Sequence, residues 1–63
     1  MLLFTHMQKN ILIVEDETDL REAMAEAIRD AGFSVTTAEN GEVGLKMALE
    51  QKPDLILLDI IMP

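Results

Sequence analysis

Ile11-Leu12-Ile13-Val14-Glu15-Asp16 and Leu55-Ile56-Leu57-Leu58-Asp59 decide how this chain folds, because each is an apolar run that ends in acid. Both runs are apolar at every position, the pattern of strands covered on both faces by helices in an α/β sheet. Val35-Thr36-Thr37-Ala38 mixes polar and apolar positions and reads as an edge. The expected strand order is therefore second, first, third. With the third strand beside the first at about 4.7–4.9 Å, the acids that follow them converge on one small volume at the C-terminal edge of the sheet. A cation that takes oxygen ligands at about 2.0–2.1 Å is within reach of both strand ends, provided the side chains turn inward. Such a volume suits a hard divalent cation and a phosphoryl group.

Two helical patterns separate the three strands. Leu20, Ala23, Met24, Ala27, Ile28 and Ala31 recur at helical spacing, with Arg21, Glu22, Glu26, Arg29 and Asp30 on the other side. Gly32 supplies a left-handed stop, and Glu17 and Asp19 lie in or near the first turn, where acids oppose the positive end of the helix dipole. The second pattern starts at Asn40-Gly41, carries Val43, Leu45, Met47, Ala48 and Leu49 on a broad apolar face, and stops at Lys52-Pro53. Gly44 inside it costs on the order of 1 kcal/mol relative to alanine, so either it permits close packing or the helix is weak there. Strand, helix, strand, helix, strand is the expected order, with connections long enough for right-handed crossovers.

At 63 residues the chain is near the lower limit for a self-supporting core and holds one domain at most. It has no cysteine, so neither a disulfide nor a thiolate metal site supplements that core, and the absence suits a reducing, intracellular setting. A net charge of −7 repels phosphate backbones and anionic headgroups, which argues against direct nucleic-acid or membrane binding. The longest apolar run is far short of the roughly 20 residues that span a bilayer, and the expected setting is the cytoplasm. Hydrophobic residues make up 49% of the chain, enough to argue for a packed core over a disordered acidic segment. Residues 1–8 show no period and read as a leader or flexible tail; His6 within them reads as solvated, with nothing nearby in sequence to orient it.

Val14-Glu15-Asp16-Glu17, Glu39-Asn40-Gly41, Lys52-Pro53-Asp54-Leu55-Ile56-Leu57-Leu58-Asp59 and the closing Asp59-Ile60-Ile61-Met62-Pro63 together resemble the receiver domain of two-component response regulators. The resemblance runs over nearly everything from Lys9 onward and covers the N-terminal half of such a domain. It implies an α/β, flavodoxin-like parallel sheet of which residues 9–63 form the first three strands and two helices. Carried over by position, it makes Asp59 the phospho-acceptor, Asp16 a direct Mg²⁺ ligand, Glu15 a ligand acting mostly through water, and the backbone carbonyl of Ile61 a further ligand. A sensor histidine kinase is the implied phosphodonor. Each role has a physical reason: a carboxylate can attack phosphorus, and a divalent ion offsets charge on the phosphoryl oxygens and relieves repulsion among crowded carboxylates.

The sequence departs from the family in two respects. Glu stands at position 15 where Asp is commoner, a longer side chain that still reaches an ion through water. A receiver also has five strands, and the hydroxyl residue and lysine that the family carries on its fourth and fifth are not among these residues; Thr36, Thr37, Lys46 and Lys52 lie on the edge strand or second helix and do not replace them. The polypeptide by itself is thus expected to bind metal but to be phosphorylated poorly or not at all, and not to act as an enzyme.

Two other readings stand beside this one. Glu15-Asp16-Glu17 alone reads as a turn and helix start, and Asp59 alone as a strand-end residue bonding to nearby amides. A different class of function comes from the third strand, which is apolar on both faces and invites pairing with another chain, making the protein a homo-oligomeric or strand-swapped assembly module.

Overall fold

The structure, a computed structural model, describes residues 9–59, with Asp59 described by its backbone alone. The expected tail over residues 1–8 and the residues after Asp59, Ile61 included, lie outside the described residues. Five elements follow one another: β1 (Asn10–Glu15), α1 (Thr18–Asp30), β2 (Ser34–Ala38), α2 (Gly41–Gln51) and β3 (Leu55–Asp59). The strands form one parallel sheet in the order β2-β1-β3, the order expected from the polarity of the three runs. The fold is the expected flavodoxin-like α/β arrangement over its first three strands.

Placing β1 in the middle buries it from Ile11 to Glu15. Ile11, Leu12, Ile13 and Val14 are all buried, and the two largest, Leu12 and Ile13, have no exposed surface. Full burial of side chains of this size contributes about 1.5–3 kcal/mol each. Alternation along β1 divides the core into two layers. On one face Ile11 and Ile13 meet Val35 of β2 and Ala25 of α1, with Met24, Ile28 and Leu57 packed around them. On the other, Leu12 and Val14 meet Ala38, with Met47 and Ala48 of α2.

α1 meets the sheet with part of the stripe its periodicity suggests, Met24 and Ile28, and with Ala25 beside them. Ala25 is its buried residue, flanked by the half-buried Arg21, Met24 and Ile28, while Leu20, Ala23 and Ala27 are exposed. The 3.6-residue period fixes that a stripe exists but not which of two adjacent stripes meets the strands. Glu17 is the N-cap itself: its carboxylate accepts from the backbone N–H of Asp19 at 3.2 Å and of Leu20 at 2.6 Å. The helix ends as expected at Gly32, whose φ of 102° lies in the left-handed region.

α2 is seated by its glycine. A Cβ built on Gly44 stands 2.6 Å from Val14 Cγ2, so the residue is the point of close approach between helix and sheet, and the first of the two readings of Gly44 holds. Asn40 caps the helix by accepting the Val43 N–H at 2.8 Å. Its other end is closed by Lys52 in a left-handed conformation, φ 50°, with its N–H on the Ala48 carbonyl, a role more often taken by glycine. The apolar face is broader than its contact: Leu45 and Leu49 stay exposed.

Candidate functional site at the carboxyl ends of the strands

β1 and β3 run in register from Ile11↔Leu55 to Glu15↔Asp59. The last residues of two adjacent parallel strands are therefore both acids, and their backbones are neighbours at a spacing of about 4.7–4.9 Å. Residues paired in a parallel ladder share a face, so Glu15 and Asp59 stand at equivalent positions of the sheet. Against β2 the register of β1 stops one residue earlier, at Val14↔Ala38.

Glu15 is 3% exposed, the one buried charged residue among those described. A buried carboxylate requires partners; the Glu17 N–H donates to Glu15 Oε2 at 3.4 Å. Asp16 follows in the turn between β1 and α1 and is exposed. The turn is braced by Arg21 on the first turns of α1, whose Nη1 donates to the Glu15 carbonyl at 2.9 Å and whose Nη2 donates to Thr18 Oγ1 at 3.4 Å. At the other end of the same strands, the Asn10 N–H donates to Asp54 Oδ2 at 2.7 Å and the Asp54 N–H donates to the Asn10 carbonyl at 2.8 Å, tying the start of β3 to the start of β1. This reciprocal pair fixes where β3 begins, and with it the register that brings Asp59 beside Glu15.

Of the residues expected to form the site, the structure brings the backbones of Glu15, Asp16 and Asp59 to one edge of the sheet. Ile61 lies outside the described residues. The donor set fits a hard cation, being oxygen throughout with one carboxylate buried against the strand end. Among the described side chains, which do not include that of Asp59, no three acidic or histidine groups gather closely enough to hold a metal. The turn reading of Glu15-Asp16-Glu17 describes part of what is seen, since Glu17 caps α1 and its amide meets Glu15.

The sequence pattern puts Arg21 opposite the apolar stripe of α1 and gives Asp54 no role of its own; both act on the strand ends. Arg21 carries a readable signal in retrospect: it lies three residues after Thr18 on one helix face, with a side chain long enough to reach back past the helix start.

A parallel α/β sheet with acids at the carboxyl ends of its central and neighbouring strands belongs to the doubly wound class, whose ligands sit in that crevice where the strand order reverses. The family model for the response regulator receiver domain matches residues 11–63. The chain is 43% identical over 54 residues to the transcriptional regulatory protein AfsQ1 of Streptomyces coelicolor, covering 86% of this chain and 24% of that protein. It is 42% identical over 57 residues to the alkaline phosphatase synthesis transcriptional regulatory protein PhoP of Bacillus subtilis, covering 90% and 24%. With the phosphate regulon transcriptional regulatory protein PhoB of Pseudomonas aeruginosa the identity is 46% over 55 residues, covering 87% and 24%. The chain belongs to the response regulator receiver domain family, and it spans about a quarter of the length of these relatives. Among the described residues, no helix is long and apolar enough to cross a membrane.

Proposed function

We propose that this chain carries the acidic, metal-binding part of a phospho-acceptor site, with Asp59 as the carboxylate that takes a phosphoryl group from a sensor histidine kinase in the cytoplasm. The observation that supports this reading is the register of Glu15 with Asp59 on adjacent parallel strands. In the transfer, a carboxylate oxygen of Asp59 attacks phosphorus; the new P–O bond forms as the P–N bond to the kinase's phosphohistidine breaks, and the electron pair leaves with the imidazole nitrogen. Asp16, exposed in the turn after β1, would hold Mg²⁺ directly; Glu15, buried at the strand end, would hold it through water; the Asp59 carboxylate and the Ile61 carbonyl would complete the set. When bound, the ion supplies charge neutralisation at the phosphoryl oxygens and a fixed line of attack.

The 63-residue polypeptide alone is not an enzyme in this reading and acquires phosphoryl slowly or not at all, because the hydroxyl residue and lysine that the family carries on its fourth and fifth strands are not among these residues. Incubation with a small-molecule phosphodonor and Mg²⁺, read by intact mass, tests this. Little or no phosphoprotein is expected, and stoichiometric phosphorylation at Asp59 contradicts it. The relatives are named as transcriptional regulators, and any such output here would fall to regions beyond the aligned residues, since the net charge of −7 disfavours contact with a phosphate backbone.

The exposure of β3 favours a second reading. Leu55, Ile56 and Leu58 are 50%, 45% and 67% exposed along a strand with no charge between Leu55 and Leu58. A second copy paired along β3 would continue the sheet and cover these side chains. Sedimentation of the chain distinguishes the two: a concentration-dependent dimer supports assembly, and a monomer across the range removes it.

A further inference from the structure

The turn that carries Glu15 and Asp16 leaves β1 where its two neighbouring strands differ: the register with β3 reaches Glu15↔Asp59, and that with β2 ends at Val14↔Ala38. Arg21 meets the chain at this point. It lines a hollow with Thr37, Ala38, Glu39 and Val43 beside the end of β2, and its guanidinium bridges the Glu15 carbonyl and the Thr18 hydroxyl. The Arg21 N–H meanwhile donates to the Glu17 carbonyl at 2.9 Å, so one residue touches both ends and the middle of the four-residue turn.

We propose that Arg21 is a positioning residue for the acidic site: by clamping the turn from Glu15 to Thr18 it fixes where the Glu15 and Asp16 carboxylates stand relative to Asp59. The inference rests on the Mg²⁺ reading given above. Its physical basis is the fork. A planar guanidinium presents two N–H groups in fixed relation, so it can set the distance between a strand-end carbonyl and a helix-start hydroxyl, whereas an ammonium is a point donor on a flexible stem. The group also brings the one cationic side chain whose bonds reach this acidic turn, among the described residues. Its bonds here go to a backbone carbonyl and to a hydroxyl. Partners that orient metal ligands from outside the coordination sphere typically cost 10–100-fold in metal affinity when removed.

The test compares Arg21→Lys and Arg21→Ala with the parent chain. Mg²⁺ affinity measured by calorimetry is expected to fall about tenfold in both variants, with lysine failing to rescue although it keeps the charge. Equal affinity in all three proteins overturns the proposal, and so does full rescue by lysine, which would reduce Arg21 to a source of positive charge. A parent chain that binds no Mg²⁺ removes the metal reading instead. Amide hydrogen exchange then decides on Arg21 separately: in Arg21→Lys, protection is expected to drop at the amides from Glu15 to Thr18 and to stay unchanged from Ala25 to Arg29. A uniform change along α1, or none, overturns the clamp.

Discussion

The two edges of this sheet are built in opposite ways. β2 is polar at Thr36 and Thr37, is covered by both helices so that Val35 and Ala38 are buried, and has Arg29 donating from α1 to the Val35 carbonyl at 3.3 Å. β3 has apolar side chains on both faces and leaves Leu55, Ile56 and Leu58 exposed; Leu57 alone joins the core layer under α1. A capped, half-polar edge resists pairing with other chains, and an open apolar edge invites it. The contrast shows where the fold is self-sufficient and where it is not: β1, β2 and the two helices form a closed unit, and β3 is attached to it by backbone pairing, by Leu57 and by Asp54. The acidic site straddles that boundary, with Glu15 and Asp16 on the closed side and Asp59 on the open one.

If the closed unit holds the stability, truncation in the middle strand should cost most. Leu12→Ala or Ile13→Ala removes a fully buried side chain and is expected to cost about 2–5 kcal/mol, enough to unfold a domain of this size; Leu58→Ala, on a residue 67% exposed, should change stability by less than about 1 kcal/mol. Thermal melts followed by circular dichroism check the pair, and equal losses would erase the contrast. Gly44→Ala sharpens it on the closed side. The new Cβ meets Val14 at 2.6 Å, and overpacking of about 1–3 kcal/mol should outweigh the gain of about 1 kcal/mol in helix propensity. A stabilised variant would mean α2 does not sit so close.

The attachment of β3 is probed by Asp54→Ala, which removes the acceptor of the Asn10 N–H and is expected to cost about 0.5–1.5 kcal/mol. Faster exchange should appear along β3 before β2, and simultaneous loosening of both edges would contradict the division. The smallest expected effect on stability is that of Leu58→Lys, within about 0.5 kcal/mol for the monomer. Its sedimentation should nonetheless shift toward monomer if the open edge pairs with a second copy.

Much of this was legible in the residues, for reasons that differ by element. Strand order followed from polarity, because β2 mixes polar and apolar positions and reads as an edge, whereas the runs of β1 and β3 are apolar throughout and read as neighbours. Asn40, Gly41 and Gly32 announced helix ends because capping and left-handed backbone restrict which side chains fit. Gly44 signalled a close approach, since a glycine inside a helix carries a cost that packing must repay. The facing of α1 was legible only in part: Met24 and Ile28 of the expected stripe meet the core, whereas Leu20, Ala23 and Ala27 are exposed and Ala25 is buried in their stead, a rotation that tertiary contact alone selects. For the same reason Leu45 and Leu49 look like core in the sequence and are exposed in the structure. The acids of the site were visible as strand ends, but Arg21 and Asp54 were not, because their work is done through backbone groups on other elements and depends on a register that no local pattern records.

The central claim is that acids from both sides of the boundary grip a common Mg²⁺, and melting of the parent chain and of Asp59→Asn across a Mg²⁺ titration tests it most directly. A ligand present at 100 times its dissociation constant stabilises the folded state by about 2.7 kcal/mol, and each kcal/mol raises the midpoint of a domain this small by roughly 4–8 °C. The parent midpoint should therefore climb and saturate in millimolar Mg²⁺ while that of Asp59→Asn climbs far less. A parent midpoint that does not move, or one that moves equally in both proteins, contradicts the account.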